Sequence, residues 1–231
     1  MAIRIRNLEE LNEKIDNDIQ WRKKEIADIR LFAQNSSNPP VLLRAAFAIC
    51  CAHFEGGIKY ASNAYIAYIS GQNIKGKDLR VEISAIGVRK KKHQSFAVPS
   101  TKKVKITVVS DVLKEFDSMM ESNFFIKLNE DDLVPEIDED DIPLPTEGNP
   151  TPDVLKDISQ ILGINYDELF QLREQFIDGE LLKVRHSVVH GERRPITLQE
   201  LSAVADFVVD ILDKYKERII DAAEHERHMR S

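Results

Sequence analysis

The chain has 231 residues, of which 42% are hydrophobic and 31% charged, the composition of a soluble protein with one globular domain or two small ones. No uninterrupted apolar run of about 18 residues occurs, and the chain start lacks the apolar core of a signal peptide, so we expect a cytoplasmic protein without a membrane partner. The two cysteines, Cys50 and Cys51, are adjacent in an apolar run. They are expected to be small buried core residues and not part of a disulfide or metal framework.

The net charge of −7 conceals two local biases of opposite sign. Eight carboxylates lie between Glu130 and Asp141 with no base among them, within a proline-rich stretch that resists regular structure. By contrast, residues 83–110 hold seven Lys and Arg and no acid, which is a local positive patch. We therefore expect an irregular or disordered acidic loop at 129–152 and a basic loop at 89–105.

The first third of the chain predicts two long helices. Residues 7–33 repeat apolar positions at helical spacing with charges between them, the pattern of an amphipathic helix. Asn38, Pro39 and Pro40 then end one helix and start the next, because proline loses no hydrogen bond in the first turn and asparagine can cap it. The second helix is expected to continue to Tyr68.

The middle of the chain carries weaker helix signals. A shorter helix is indicated by three apolar residues at helical spacing, Leu79, Ile83 and Ile86. Ser110 is expected to cap a further helix, whose apolar face carries Leu113, Phe116 and Met120.

The last third contains four helix signals. Thr151 and Gly163 are expected to cap the two ends of one helix. Asn165 starts a second, with an apolar side formed by Leu169, Leu172 and Phe176. A short third helix runs from about Glu180 and ends at Gly191.

Thr197 and Glu200 open the last helix with a capping box. Its apolar seam needs another helix against it and consists of Leu201, Val204, Val208, Ile211, Tyr215 and Ile219. The end of the chain, residues 224–231, is expected to be a frayed helix end. Together these elements predict an all-α fold, an antiparallel bundle of four to five main helices in a single domain spanning residues 1–231.

One short segment carries residues suited to chemistry on a phosphodiester. The expected helix ending at Gly191 contains Arg185, His186 and His190 in its last turns. Arg185 and His190 are separated by about 7.5 Å along the helix axis and about 140° around it. A second copy of the helix, packed across a two-fold axis, would bring two such pairs to one cleft.

Arg185 and His190 form an Arg-x4-His pattern followed by glycine, in the helix before a final amphipathic helix. This arrangement resembles the signature of the HEPN ribonuclease superfamily. The run Arg44–Gly56 resembles the long second helix of the toxin and phage-defence branch, and the run Thr146–Gly163 resembles a loop and helix also found there. The similarity covers roughly residues 40 to 215.

The resemblance implies a homodimeric, metal-independent endoribonuclease without a cofactor, acting as a toxin or as an antiviral, abortive-infection effector. In that chemistry the ribose 2′-hydroxyl attacks the adjacent phosphorus. Arg185 supplies a fork of donors for phosphate oxygens, and His190 is the residue that moves a proton near neutral pH, as acid or as base. The implied partners are RNA, a second copy of the chain, and an antitoxin or defence-system protein.

Further residues are assigned supporting roles at this site. His186 either orients phosphate or is simply exposed, and Lys183 is assigned to phosphate binding. The resemblance places a glutamate at Glu55, which either holds Arg185 or His190 in place or pairs internally with Lys59 or Arg44. The basic loop either steers RNA backbone or is merely solvated; the residues assigned to steering are Arg89, Lys90, Lys91, Lys92, Lys102 and Lys103.

Regulation and an alternative function complete the expectations. Some relatives are silenced by modification of a tyrosine two residues after the histidine, but this chain has Glu192 there, which indicates a different regulator. The alternative function is a non-catalytic helical adaptor, or a nucleotide- or RNA-binding dimer, that uses the same helix only for dimerisation. In that case Val208→Asp would disrupt the protein, and alanine at Arg185 or His190 would change nothing.

Overall fold

The computed structural model describes residues 5–87, 106–126 and 150–230, which form α-helices joined by turns and contain no β-strand. The predicted all-α class is therefore confirmed. The predicted basic loop at 89–105 and nearly all of the acidic loop at 129–152 lie outside the described residues. The helices are α1 Leu8–Gln34, α2 Pro39–Gly71, α3 at 81–87, α4 Ile106–Glu121, α5 Pro152–Leu162, α6 Tyr166–Leu169, α7 with its three consecutive parts Glu174–Phe176, Ile177–Leu182 and Lys183–Val189, and α8 Leu198–Glu224.

Three long helices, α1, α2 and α8, form the centre of the bundle. Ion pairs between α1 and α8 join Lys23 to Asp213 and Arg30 to Asp206. Residue numbers rise along one helix as they fall along the other, so the two helices are antiparallel. The predicted apolar seam of α8 is confirmed, because all six of its residues are buried. By length and composition α2 alone among the described helices is apolar enough to cross a membrane, but half of its most apolar window is buried inside the bundle.

A buried ion pair lies where α1 meets α2. The Arg22 guanidinium donates to both carboxylate oxygens of Asp18, at 2.7 and 3.0 Å, and both side chains are almost fully buried. Gly56 of α2 faces this guanidinium, and a Cβ atom at that position would lie 2.6 Å from Arg22 Nη1. On the same face of α2, His53 Nε2 lies 2.7 Å from a Glu25 carboxylate oxygen. The absence of a side chain at Gly56 therefore lets α1 and its arginine approach α2 closely.

Several predicted helix ends are confirmed. The Thr151 hydroxyl accepts from the Val154 backbone N–H, and Gly163 ends α5 in the left-handed conformation with φ 71°. Thr197 and Glu200 form the predicted capping box at the start of α8. These signals were reliable because each cap involves only residues within one turn of the helix end.

Other local predictions were wrong. Asn38 precedes α2, but its side chain makes no capping hydrogen bond. Ser110 lies inside α4, which begins at Ile106. Leu172 is 94% exposed and is not part of an apolar face, because α6 ends at Leu169 and a 3₁₀ turn follows. The helix expected from about Glu180 is the end of α7, which begins at Glu174.

Residues 225–230 are hydrogen-bonded in a turn that packs on the bundle, so the prediction of a frayed helix end was wrong for these residues. After α8 the chain turns back, and the backbone N–H of Arg230 donates to Asp78 while that of Arg80 donates to His228. His228 is 3% exposed, and its Nδ1 lies 3.1 Å from the Tyr65 hydroxyl of α2. This return anchors the C-terminal residues to the start of α3.

The buried His228 predicts a pH-dependent stability. Burial lowers the pKa of its imidazole below the usual 6.5, although Glu226 partly opposes the shift. Because the unfolded chain then binds the proton at a higher pH than the folded protein, the free energy of unfolding should fall as the pH drops below about 6.5. Denaturant titrations at several pH values between 7.5 and 5.5 should show this loss. In His228→Gln the free energy of unfolding should fall less steeply with decreasing pH. The same dependence on pH in the variant and the wild-type protein would contradict the role of His228. Burial also lowers the pKa of His53, which accounts for the pH dependence that remains in the variant.

Candidate functional site

The helix that carries the Arg-x4-His pattern, α7, contains a π-helical segment at Ile177–Leu182. The backbone N–H of Lys183 donates to Asp178, five residues earlier, where an α-helix would use the carbonyl four residues earlier. Gly179 lies in this segment with open space around it. The wider turn shifts the register of the final α-helical part, Lys183–Val189, relative to the residues before it. Segments of this kind are frequent at functional sites.

Arg185 faces the second helix. Its Nη2 lies 3.4 Å from Oε2 of Glu55, and both side chains are partly buried, with exposed fractions of 25% and 17%. Contact with Arg185, one of the alternatives left open for Glu55, is therefore present in the structure. The carboxylate of Glu55 thus lies beside the guanidinium, which solvent still reaches.

His190 is the residue at which α7 ends, and its side chain is exposed. Its backbone N–H donates to the carbonyl of His186 at 2.9 Å, and the N–H of Glu192 donates to Ser187 at 2.9 Å. Gly191 between them has φ 74°, the left-handed conformation that glycine adopts without strain. The predicted stop at Gly191 is confirmed. The histidine therefore follows a completed helix and precedes a hydrogen-bonded turn.

The structure brings His186 and His190 together. Their ring centroids are 4.1 Å apart with an angle of 50° between the planes, as expected for residues four apart on a helix. Lys183 is exposed, and its separation of two residues from Arg185 places it about 200° around the helix axis from that residue. The exposed face of α7 thus carries a lysine and two histidines, and the arginine lies on the face toward α2.

Other candidates from the sequence have different outcomes. All six residues assigned to RNA steering, Arg89, Lys90, Lys91, Lys92, Lys102 and Lys103, lie outside the described residues. Within the described ranges, no group of three or more His, Cys, Asp or Glu side chains is arranged to hold a metal ion. Cys50 and Cys51 are buried as predicted, and burial raises the pKa of each thiol to about 12, which disfavours a nucleophilic thiolate.

Sequence reasoning missed the role of Arg44 at this site. From α2 its guanidinium donates to the backbone carbonyl of Glu192 at 2.5 Å, to that of Arg194 at 2.9 Å and to that of Val188 at 3.4 Å. Arg44 was considered only as a partner for Glu55. No spacing rule could have found these contacts, because the acceptors are main-chain atoms about 150 residues later in the chain.

The comparisons with known proteins agree with this architecture. The family model described as RiboL-PSP-HEPN matches residues 17–221, which is most of the chain and includes α2, α7 and nearly all of α8. No curated protein and no solved structure matches the chain. A match of this extent, on an all-α bundle with the Arg-x4-His pattern at the end of its penultimate helix, shows that the chain belongs to the RiboL-PSP-HEPN family of the HEPN superfamily.

Proposed function

We propose that this protein is a metal-independent endoribonuclease in which Arg185 and His190 promote attack of a ribose 2′-hydroxyl on the neighbouring phosphorus. A bond forms between the 2′-oxygen and phosphorus, and the bond from phosphorus to the 5′-oxygen breaks. The 2′-hydroxyl loses a proton and the leaving 5′-oxygen gains one. His190 moves one of these protons, and Arg185 stabilises the charge on the phosphate oxygens.

The strongest support is the placement of Arg185 and His190 at the end of one helix. Glu55 holds the guanidinium of Arg185 at a partly exposed position, and a hydrogen-bonded turn follows the exposed His190. An arginine that is orientated by a carboxylate and reached by solvent is well suited to a phosphodiester. Membership of a HEPN family is consistent with ribonuclease chemistry.

The active unit in this proposal is a homodimer. Several large apolar side chains remain exposed at the end of the bundle that carries His190, and they come from α1, α2, α7 and the start of α8: Phe32, Val41, Val189 and Leu198. Exposed apolar side chains are buried when such a surface meets its partner. A two-fold contact there would also bring two Arg185–His190 pairs to one cleft.

The biological role that fits this activity is a cytoplasmic toxin or antiphage effector controlled by a partner protein. An RNase with an exposed site needs such control in a healthy cell. Glu192 stands where a modified tyrosine is found in some relatives, and its backbone N–H and carbonyl are both engaged in the turn after His190. We therefore propose an antitoxin or defence-system protein that acts by binding, not by modification of that position.

Purified protein incubated with RNA in excess EDTA tests the activity. The expected products end in a 2′,3′-cyclic phosphate on one side of the cut and a 5′-hydroxyl on the other, because the 2′-oxygen is the nucleophile. Cleavage with these ends should be independent of added divalent metal. Absence of cleavage over a panel of tRNA, rRNA and messenger RNA would favour the non-catalytic adaptor, and cleavage that requires a metal would contradict the proposed chemistry.

A further inference from the structure

Arg44 makes a set of contacts that differs from those of the other arginines near the site. Arg185 is paired with the carboxylate of Glu55, and Arg194 with that of Glu200. The contacts of Arg44, in contrast, are with main-chain carbonyls, at Val188, Glu192 and Arg194. An arginine used in this way organises backbone and does not balance a side-chain charge.

These carbonyls lie on both sides of His190. The last carbonyls of any helix lack partners within the helix, and they must find donors elsewhere. Val188 contributes one of these carbonyls from the last turn of α7, where it also accepts from the backbone N–H of Gly191, and the other two acceptors come from the turn that follows. The three carbonyls bound by this one guanidinium therefore lie within seven consecutive residues, 188–194, which include His190. Hydrogen bonds from a charged donor are stronger than those between neutral groups.

The turn has a second side-chain contact with the bundle, the ion pair between Arg194 and Glu200 of α8 at 3.3 Å. Ile196 is buried, and the capping box of Thr197 and Glu200 starts α8. The side chains of Arg193 and Glu192 are exposed. Of the described contacts between the end of α7 and Ile196, those of Arg44 are therefore the ones that join the turn to α2.

We propose that Arg44 is a positioning residue for His190. Its guanidinium holds the backbone of residues 188–194 against α2, and this fixes the imidazole of His190 relative to the guanidinium of Arg185, which is held by the same helix through Glu55. The inference rests on the proposed ribonuclease function. It adds a residue that touches neither the phosphate nor the reacting oxygens.

The first test measures the backbone and needs no substrate. In Arg44→Met, which keeps the length and apolar stem of the side chain, amide hydrogen exchange at His190, Gly191 and Glu192 should accelerate by about tenfold or more, while exchange in α1 and α8 stays unchanged. Arg30→Met is the matched control, because Arg30 pairs with Asp206 on an exposed surface. Unchanged exchange in the 188–194 turn of Arg44→Met would overturn the proposal.

The second test separates positioning from phosphate binding. Arg44→Met should lower kcat for RNA cleavage by about tenfold or more with KM changed less than about twofold, since the misplaced group acts in proton transfer. Arg44→Lys keeps the charge but replaces the fork by one nitrogen, and should restore only part of kcat. A rise in KM at constant kcat, or full activity in Arg44→Met, would overturn the proposal. If the wild-type protein does not cleave RNA, the ribonuclease assignment fails and the exchange experiment still decides whether Arg44 holds the turn.

Discussion

Alanine in place of His190 is expected to reduce RNA cleavage by about 10²–10⁴-fold, the usual contribution of a group that transfers a proton. Alanine in place of Arg185 is expected to cost about 10²–10³-fold, because a preorganised positive donor is lost from the phosphate. Arg185→Lys should recover little, since an ammonium group cannot present the planar fork. Initial rates on a defined RNA, measured in EDTA, give these ratios directly.

The chain offers matched controls for both substitutions. His225 ends α8 as His190 ends α7, and it is likewise exposed, so His225→Ala changes the same residue type in the same local setting. Arg218→Ala is the control for Arg185→Ala, because Arg218 also forms an ion pair with a glutamate, Glu168, but at the surface. Both control variants should cleave RNA at the wild-type rate. Cleavage that survives alanine at both Arg185 and His190 would remove these residues from the mechanism and favour the helical adaptor.

Replacement of Arg22 by methionine is expected to lower the free energy of unfolding by about 3–5 kcal/mol. The side chains of Arg22 and Asp18 have exposed fractions of only 6% and 4%, so the substitution leaves a carboxylate buried without its cation. The indole N–H of Trp21 also donates to Asp18, at 3.1 Å, but it carries no compensating charge. Urea denaturation followed by circular dichroism measures the loss.

Two further variants show whether the buried charge is the cause. Arg30→Met breaks the exposed pair with Asp206 and should cost about 0–1 kcal/mol. The double variant Asp18→Leu/Arg22→Met removes both charges and should be more stable than Arg22→Met alone, because buried pairs are often replaced by apolar side chains at little cost. A double variant as unstable as the single one would show that lost packing, and not an unpaired carboxylate, explains the effect.

The candidate site was predictable in part. The helix end at Gly191 was predicted correctly, because helix ends are encoded by neighbouring residues. Arg185 and His190 were singled out by the resemblance of their Arg-x4-His pattern to the HEPN signature. The contact between Glu55 and Arg185 was one of several alternatives, since the choice depends on how α7 lies across α2. The π-helical segment of α7 carries no recognised sequence signal. It joins what had been predicted as two separate helices, one starting at Asn165 and the other at about Glu180.

The long helices and the helix caps depend on residues within a few positions of one another, and the sequence by itself therefore determined them: α1, α2, the seam and capping box of α8, and the ends of α5. The tertiary structure alone decided three other features, namely the contacts of Arg44 with the turn after His190, the buried pair of Asp18 and Arg22 beside Gly56, and the return of His228 to the core. Asp18 and Arg22 are four residues apart on α1, and packing against Gly56 of α2 decides only that the pair is buried. The other two features satisfy a buried polar group or an end of a helix with atoms from a distant part of the chain. Such partners meet only after the helices have packed, because burial creates the need for them.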